Sequence, residues 1–485
     1  MFCDNLFKPL FLIIATLSCG ITLTTAAAAA AAAVIPLIQP ANILAVFPMP
    51  VYSHHSVYRV YVEALAARCH NITVIKPTVP FLVYNDTDKC GRIVQINADM
   101  SERQYNKLTL QSAKFRQRGV ISDQTTVTAS NYVGLIEMIA DQFNNTEVRQ
   151  FLKEPNKFDA VVVEAFAEYA LVFGHLYAPT PVIQIAPGYG LAENLETAGA
   201  VSRHPIHHPN IWRSDYFRDV CYDDVLLEEI RLRREFTTLT ETTDAMLKKQ
   251  FGPNTPSVQT LRDKVELLLL NLHPIFDNNR AVPPSVQYLG GKIHLINSTL
   301  VKLDDTLEML MNKKRRRVIY VSFGSSINTN MFADELKQML INTFIELSEY
   351  TILWKINDGT INTTLLPPNV HTRKWFNQRA VLNHPNTVAF VTQGGVQSCD
   401  EALTAIVPMV CMPMMGDQFY HARRLHQLGV AHTLNTLTVT SEQLAYSIRA
   451  ISTIHQLRYK NNINFLNKIL QQDENFSSAT NTQSG

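Results

Sequence analysis

One stretch of the 485-residue chain, 371–429, constrains the fold more than any other. An apolar run, Val388–Val391, leads to the pair Gly394 and Gly395. A helical pattern follows, and a second apolar run begins at Pro408. This order of strand, glycine turn, helix and strand predicts a βαβ unit, whose two strands pair in parallel. Ligands of open α/β sheets bind at the carboxyl ends of the strands, so a ligand site is expected at the glycine turn.

The chemistry of this turn favours a ligand that carries phosphate. Adjacent glycines let the backbone approach a ligand closely, and the start of a helix offers unpaired N–H groups and partial positive charge. Gln393, Gln397 and Ser398 add polar groups for phosphate oxygens. Trp375 offers a flat face for a base, and Glu401 could accept hydrogen bonds from a ribose diol. Taken singly, each of these features is more often structural, and only their order supports a site.

That order resembles the signature of the UDP-glycosyltransferases. The motifs of this chain stand as Trp375-Phe-Asn-Gln378, His384-Pro385, Thr392-Gln393-Gly394-Gly395, Glu401-Ala402, Pro408-Met409-Val410, Pro413 and Asp417-Gln418. The resemblance implies a donor site made of Ser325, Trp375, Gln378, Gln393, Gly395, Gln397, Ser398, Glu401, Asp417 and Gln418. Asp417 and Gln418 would hold sugar hydroxyls. The stretch has no P-loop lysine and no Asp-x-Asp pair, so no metal and no other cofactor is expected.

One departure from the family pattern narrows the resemblance. The usual histidine after Thr392 is Gln393, which can donate a hydrogen bond to phosphate but cannot carry positive charge. The glutamine form, together with the run Pro-Met-Met-Gly-Asp-Gln-Phe-Tyr-His, is similar to the baculoviral ecdysteroid UDP-glucosyltransferases. The similarity extends from Asn42 to about Leu437. It implies UDP-glucose as donor and an ecdysteroid, an insect moulting hormone, as acceptor.

A histidine and a carboxylate are expected to supply the chemistry. His54 follows the first apolar run, Asn42–Phe47, at the position where α/β folds place reactive groups. The pair Ser53-His54 matches the family's general base, while His55 is expected to pack or to line the acceptor pocket. Glu164 ends another buried run, where relatives usually have an aspartate that orients the histidine. The predicted catalytic pair is therefore His54 and Glu164.

Strand-like and helical patterns alternate in both halves of the chain, which is typical of parallel doubly wound sheets. The resemblance implies an α/β protein of two facing Rossmann-like domains, the GT-B fold. The expected segments are a signal peptide with an Ala-rich tract (1–33), an N-terminal acceptor-binding domain (41–270), a linker (271–290), a C-terminal UDP-sugar-binding domain (291–440), and a C-terminal helix with a polar tail (441–485).

Composition limits the partners and the compartment. The formal net charge of +1 gives no electrostatic footprint for nucleic acid. Between Lys8 and Arg59 no charged residue occurs, and this segment contains an apolar run and an alanine tract. That pattern predicts a secretory signal peptide, with a signal anchor as the alternative. Six Asn-x-Ser/Thr sequons agree with export as a glycoprotein. No apolar span follows near the C-terminus, so no stable membrane anchor is expected.

Five cysteines remain after a signal peptide is removed, too few for a disulfide framework and without metal-site spacing. Cys399 and Cys411 lie in apolar surroundings and are expected in the core. A Cys69–Cys90 bridge is the one pairing considered.

Two other functions remain compatible with the residues. A secreted sterol- or nucleotide-binding protein without transfer activity would account for the departures at Gln393 and Glu164, although the retained His54 and Asp417 argue against it. A UDP-sugar epimerase of related fold would need acid/base carboxylates near the sugar. Only an enzyme with transferase activity releases UDP in the presence of an acceptor.

We expect the mature chain to begin between about Ala26 and Ile38, because cleavage should fall in the tract of small residues. N-terminal sequencing of protein recovered from the medium tests this. A secreted protein that still begins at Met1, or recovery in membranes alone, would contradict it.

Overall fold

The structure is a computed structural model. It describes residues 39–483 except 81, 86–89, 102, 105, 109–117, 119–120, 124, 218–219, 297–301, 313–316, 363 and 365, and side chains as far as 471. The predicted signal peptide lies outside the described residues, as do the sequon asparagine Asn297 and the side chain of Asn475.

Two parallel sheets make up the described chain. The first has seven strands in the order β3-β2-β1-β4-β5-β6-β7, and the second has six in the order β10-β9-β8-β11-β12-β13. The strands of the first sheet are β1 Asn42–Val46, β2 Asn71–Lys76, β3 Ile93–Asn97, β4 Ala160–Glu164, β5 Val182–Ala186, β6 Val265–Leu270 and β7 Val286–Tyr288. Those of the second are β8 Val318–Ser322, β9 Thr351–Lys355, β10 Val370–Arg373, β11 Thr387–Thr392, β12 Met409–Cys411 and β13 Ala431–Thr433. The expected pair of Rossmann-like sheets is confirmed.

The central strands are apolar because helices cover both of their faces. All five residues of β4 and of β8 are buried, and so are all six of β11. The α-helices are α1 Tyr52–Ala67, α2 Ala129–Phe143, α3 Thr146–Phe151, α4 Val172–Leu176, α5 Ala192–Thr197, α6 Tyr222–Phe251, α7 Val258–Arg262, α8 Asp305–Met311, α9 Asp334–Glu346, α10 Gln378–Asn383, α11 Val396–Thr404, α12 Gln418–Gln427, α13 Ser441–Arg449 and α14 Gln456–Gln483. Among the described residues, no helix is both long enough and apolar enough to cross a membrane.

The order of strands reverses once in each sheet, and this decides where a ligand can bind. In the first sheet β1 pairs with β4, and Val46 lies opposite Val163. In the second sheet β8 pairs with β11. The chain segments that follow these two neighbouring strands run to opposite faces of the sheet. A crevice therefore opens between them at the carboxyl ends of the strands. Each half of the molecule therefore presents one crevice.

Two details differ from the sequence-based expectation. β7, Val286–Tyr288, pairs with β6 inside the segment 271–290 that was expected to be a linker, so the first sheet continues to residue 288. The helix α1 already begins at Tyr52, which puts His54 in its first turn rather than in a preceding loop. A three-residue strand such as β7 leaves little periodicity in a sequence, and the ends of helices, including the start of α1, are hard to place from sequence alone.

The two halves share an apolar cluster. Tyr189 and Leu191 from the first half and Phe276 from the connecting segment pack with Val396 and Tyr420 from the second half. Several hydrogen bonds also cross the boundary, and two of them involve residues beside this cluster. The hydroxyl of Tyr189 lies 2.9 Å from Nδ1 of His421, and the Gln397 amide donates to the Pro187 carbonyl at 2.6 Å.

A disulfide joins Cys69, just after α1, to Cys90, just before β3, which confirms the pairing considered from the sequence. Cys399 and Cys411 are buried, as expected, and Cys221 is exposed.

Removing this bridge should destabilise the protein. We expect the double substitution Cys69→Ser/Cys90→Ser to lower the free energy of unfolding by about 2–4 kcal/mol, because the unfolded chain gains conformational entropy. Thermal melting in the absence of reductant measures the change. Cys221→Ser, at an exposed free cysteine, is the control and should leave Tm unchanged. Equal Tm values for all three proteins would contradict the prediction.

Candidate active site

A cavity of about 2240 Å³ lies between the carboxyl ends of the two sheets. Eleven of the twelve predicted site residues line it, and the twelfth, Glu164, lies fully buried behind His54. Residues that are up to 364 positions apart in the chain, such as His54 and Gln418, therefore face one space.

His54 and Glu164 form a hydrogen-bonded pair on the first sheet. Nδ1 of His54 lies 2.6 Å from Oε1 of Glu164, and the second carboxylate oxygen accepts from the backbone N–H of Met49 at 3.1 Å. This arrangement holds the carboxylate in place and assigns the proton of the imidazole to Nδ1. The other ring nitrogen, Nε2, then carries a lone pair that can accept a proton in the cavity. Phe166 packs against the imidazole with ring centroids 5.6 Å apart.

The neighbouring His55 has a different environment. Its ring is fully buried, with Nδ1 at 3.0 Å from the Tyr84 hydroxyl and Nε2 at 2.9 Å from the Met49 carbonyl. Burial lowers the pKa of His55 to about 3. Its neutral ring packs inside the first domain and does not line the cavity. The sequence left open whether His55 packs or lines the acceptor pocket, and the structure shows that it packs.

Two glycine loops meet on the second sheet. Gly324 follows β8 with φ +75°, and Gly395 begins α11. A Cβ at Gly324 would lie 2.3 Å from Nε2 of Gln393, and one at Gly395 would lie 2.9 Å from the same atom. The carboxamide of Gln393 therefore lies between the two loops, a position that only glycines allow. Ser325, exposed in the first loop, lines the same part of the cavity. Backbone N–H groups, a hydroxyl and an amide thus converge where a diphosphate would fit.

The indole of Trp375 is 36% exposed, which leaves ring surface available to a base. The Lys355 amine lies 5.9 Å from its centroid, and Tyr52 contacts it edge-on at 5.1 Å. Tyr52 comes from the first half, so this contact crosses the cleft. Neither Tyr52 nor Lys355 was predicted from the sequence, since a single aromatic or basic residue at a strand or helix end carries no specific pattern.

Gln378, the first residue of α10, bonds to two residues of α11, one of which is the predicted ribose-binding Glu401. Its amide donates to Glu401 Oε2 at 2.8 Å and to the Ser398 hydroxyl at 3.0 Å. Burial raises the pKa of Glu401 to about 7, and the hydrogen bond from Gln378 opposes the rise. Hydroxyl groups of a ligand would further stabilise the carboxylate by donating to it.

The two residues predicted to bind the sugar, Asp417 and Gln418, differ in their environments. Asp417 lines the cavity, and burial raises its pKa to about 6. An electrostatic interaction with His54, on the other side of the cleft, opposes this rise. A Cβ at Gly188, in the first half, would lie 3.8 Å from the Asp417 carboxylate. The carboxamide oxygen of Gln418 instead accepts from the backbone N–H groups of Met414 and Met415, at 3.1 and 3.2 Å. Only its amide nitrogen remains for a ligand.

Gln397 lines the cavity, but its amide is engaged by the Pro187 carbonyl. The side chain thus joins the two halves beside the donor site. His294, also missed from the sequence, approaches the Gln397 carbonyl at 3.2 Å through Nε2, and burial lowers its pKa to about 3. A neutral imidazole N–H therefore donates to the first turn of α11.

The opposite arm of the cavity, within the first half, has aromatic walls. Trp212 contacts Tyr132 at 5.3 Å and Phe236 at 5.8 Å between ring centroids. A Cβ at Gly416 would lie 3.5 Å from the Trp212 ring, which puts this wall beside the loop that carries Asp417. An apolar polycyclic acceptor suits such a surface. Among the described residues, no group of three or more His, Cys, Asp or Glu side chains is arranged to hold a metal ion.

A nucleoside diphosphate matches the second sheet's crevice, and an oriented histidine faces it from the first. These features, on two facing parallel sheets, define the class of GT-B glycosyltransferases. The chain belongs to the family described as UDP-glucoronosyl and UDP-glucosyl transferase, whose model matches residues 42–475.

Known relatives agree with this assignment. The chain is 61% identical over 418 residues to the ecdysteroid UDP-glucosyltransferase of Autographa californica nuclear polyhedrosis virus, covering 85% of this chain and 81% of the relative. It is 58% identical to the protein of that name from Choristoneura fumiferana defective polyhedrosis virus, covering 88% and 86%. Human UDP-glucuronosyltransferase 1A6 is 28% identical, covering 85% and 76%. The solved structure of the glycotransferase of kitacinnamycin has the same fold, with a TM-score of 0.58 at 18% identity, over 92% of this chain and 98% of that one.

The donor site can be tested by UDP binding. Trp375→Ala should lose base stacking, and Glu401→Ala should lose a buried acceptor for the ribose. We expect each to weaken UDP binding by on the order of 1–3 kcal/mol, measured by calorimetry. Asp417→Ala is the matched control from the same cavity, because it should contact only the sugar and leave UDP affinity unchanged. Unchanged affinity in the first two variants would refute the nucleotide site.

Proposed function

We propose that this protein is an inverting glucosyltransferase that moves glucose from UDP-glucose to a hydroxyl of an ecdysteroid and thereby inactivates the hormone. The observation that carries the transfer chemistry is the 2.6 Å hydrogen bond between His54 and Glu164 at the mouth of a nucleotide crevice. The choice of glucose and of an ecdysteroid is supported by the names of relatives up to 61% identical. The aromatic walls around Trp212 agree with a polycyclic acceptor.

The proposed reaction begins with proton removal by His54. Nε2 takes the proton of the acceptor hydroxyl, and the Glu164 carboxylate stabilises the imidazolium that forms. The hydroxyl oxygen then bonds to the anomeric carbon from the face opposite UDP. The bond from that carbon to the diphosphate oxygen breaks, and UDP leaves with the electron pair. A single displacement of this kind inverts the anomeric configuration.

The glycine loops would stabilise the departing group. Charge develops on the diphosphate as the bond breaks, and backbone N–H groups at the start of α11 are oriented toward it before the reaction. Gln393 adds a neutral donor between the two glycine loops. We therefore propose that transfer proceeds without a metal ion.

A screen of acceptors tests this function. Purified protein is incubated with UDP-glucose and a panel of ecdysteroids, other sterols and simple phenols, and mass spectrometry detects products heavier by one hexose. Product with ecdysteroids and a matching release of UDP would support the proposal. Binding of UDP and sterol without any product would favour the alternative of a binding protein. Conversion of UDP-glucose to another UDP-hexose without acceptor would favour an epimerase.

We also propose that the protein is secreted as a glycoprotein. The Cys69–Cys90 disulfide supports maturation in an oxidising compartment. The sequon residues Asn71, Asn85 and Asn144 are exposed on the first domain, as oligosaccharide attachment requires. A shift in mobility after treatment with an endoglycosidase would test the modification.

The general base should be the residue most sensitive to substitution. We expect His54→Ala to bind UDP normally but to transfer glucose at least ~100-fold more slowly, because the variant lacks the proposed acceptor of the hydroxyl proton. Glu164→Gln should have an intermediate effect, since the amide keeps the shape but cannot stabilise an imidazolium.

Kinetics and melting curves measured together separate this role from a structural one. His55→Ala should lower Tm, because two buried hydrogen bonds are lost, with a milder effect on turnover. If His54→Ala lowers Tm, UDP affinity and turnover together, the residue is structural. If His55→Ala abolishes turnover while His54→Ala does not, the base assignment is wrong.

A further inference from the structure

A carboxylate in the wall of the acceptor arm has no role in the reaction described above. Glu193 lies in the first turn of α5, after β5, and its side chain lines the cavity although the residue is only 8% exposed. Its Oε1 is bound by the guanidinium of Arg203. Its Oε2 is buried and has no hydrogen-bond donor among the described residues. A buried carboxylate oxygen without a donor is costly, so a hydrogen-bond donor supplied by a ligand would be favourable at this position.

The network behind the wall holds this carboxylate in place without neutralising it. Arg203 also donates to Glu229 at 2.6 Å and to Glu196 at 3.2 Å, so one guanidinium serves three carboxylates. Arg233 donates a second hydrogen bond to Glu196, at 3.2 Å. Burial and the charge of Glu193 both raise the pKa of Glu229, whereas Arg203 lowers it. Negative charge therefore remains in excess beside the cavity, and a neutral hydrogen-bond donor would be favoured there.

A second acid in the same wall provides a contrast. Glu168 also lines the cavity, but both of its oxygens accept from Arg262, at 2.6 and 2.5 Å. Its hydrogen-bonding capacity is met within the protein. Glu193 differs because one of its oxygens has no donor within the described part of the chain.

The strand order sets the approximate separation between the backbone positions of Glu193 and His54. His54 follows β1 and Glu193 follows β5, and β4 alone lies between these strands. Two strand spacings amount to roughly 10 Å. The space between is bordered by apolar side chains such as Phe166 and Leu191. A rigid polycyclic molecule could therefore place one hydroxyl at His54 and a second, distant hydroxyl at Glu193.

We propose that Glu193 determines acceptor specificity by accepting a hydrogen bond, through Oε2, from an acceptor hydroxyl other than the one that is glucosylated. The inference rests on the proposed function, because it requires a polyhydroxylated polycyclic acceptor in this arm of the cavity. Hydrogen bonds to charged groups are strong enough to give at least ~10-fold selectivity when the donor is removed. Glu193 is thus expected to select against acceptors that lack this hydroxyl.

The test compares acceptors that differ by one hydroxyl group. kcat/KM is measured for an ecdysteroid and for analogues that each lack a single hydroxyl distant from the site of transfer, with wild type, Glu193→Leu and Glu196→Leu. We expect wild type to disfavour one analogue by at least ~10-fold, chiefly through KM. Glu193→Leu should remove that preference while still converting the deoxy analogue as well as wild type does. Glu196→Leu is the matched control, since it also loses a bond to Arg203 but does not line the cavity, and it should keep the preference.

Three outcomes would overturn the inference. One is a Glu193→Leu protein that keeps the wild-type preference, and another is an equal loss of kcat/KM for all acceptors. The third is the same loss of preference in Glu196→Leu, which would mean that the preference depends on the hydrogen bonds of Arg203 and not on Glu193 itself.

If Glu193→Leu does not fold, judged by UDP affinity and Tm, Glu193→Gln replaces it. Arg203 then engages the amide oxygen and the amide nitrogen faces the cavity, so the preference should fall and an unchanged preference would contradict the proposal. Failure of wild type to glucosylate any ecdysteroid would instead refute the proposed function itself.

Discussion

The parallel pairing of β1 with β4, and of β8 with β11, is the constraint on which the rest of the site depends. His54 follows β1 and Glu164 ends β4, so their 2.6 Å hydrogen bond exists only because these strands are neighbours. In the second sheet the same relation brings the glycine loop after β8 against the one after β11. The side chain of Gln393 fits between these loops only where Gly324 and Gly395 lack a Cβ. Strand adjacency thus creates both the proposed proton acceptor and the proposed phosphate-binding surface.

The relation between the two halves is the second constraint. The shared apolar cluster keeps the two crevices facing each other, and the contacts beside the cavity are polar or aromatic. Tyr52 meets Trp375 across the cleft, and Gln397 bonds to the Pro187 carbonyl. Substrate binding would have to accommodate or rearrange these contacts, because they lie directly at the donor site. Burial also raises the pKa values of Glu401 and Asp417.

The site also illustrates how one type of residue takes different roles according to its partners. Glu164 has both oxygens engaged and orients His54, whereas Glu168 has both engaged by Arg262 and is satisfied within the protein. Glu193 keeps one buried oxygen that accepts from no donor among the residues the structure describes. His54 and His55 are adjacent in sequence, yet one lines the cavity and the other is sealed in the core as a neutral ring. Sequence position alone does not separate these cases, because hydrogen-bond partners come from distant segments.

The sequence by itself determined the class of fold and most of the donor site. Apolar runs long enough for buried strands, separated by helical patterns, specify parallel sheets, and the spacing of Gly394, Gly395 and Glu401 on one βαβ unit is a local property. The tertiary structure alone decided which distant groups meet. It assigned His55 to the core, engaged the Gln418 oxygen in its own loop, extended the first sheet to β7, and left Glu193 partly unpaired in the cavity wall. Local patterns record the periodicity of burial, whereas contacts between strands and between halves depend on packing over hundreds of residues, which no local pattern encodes.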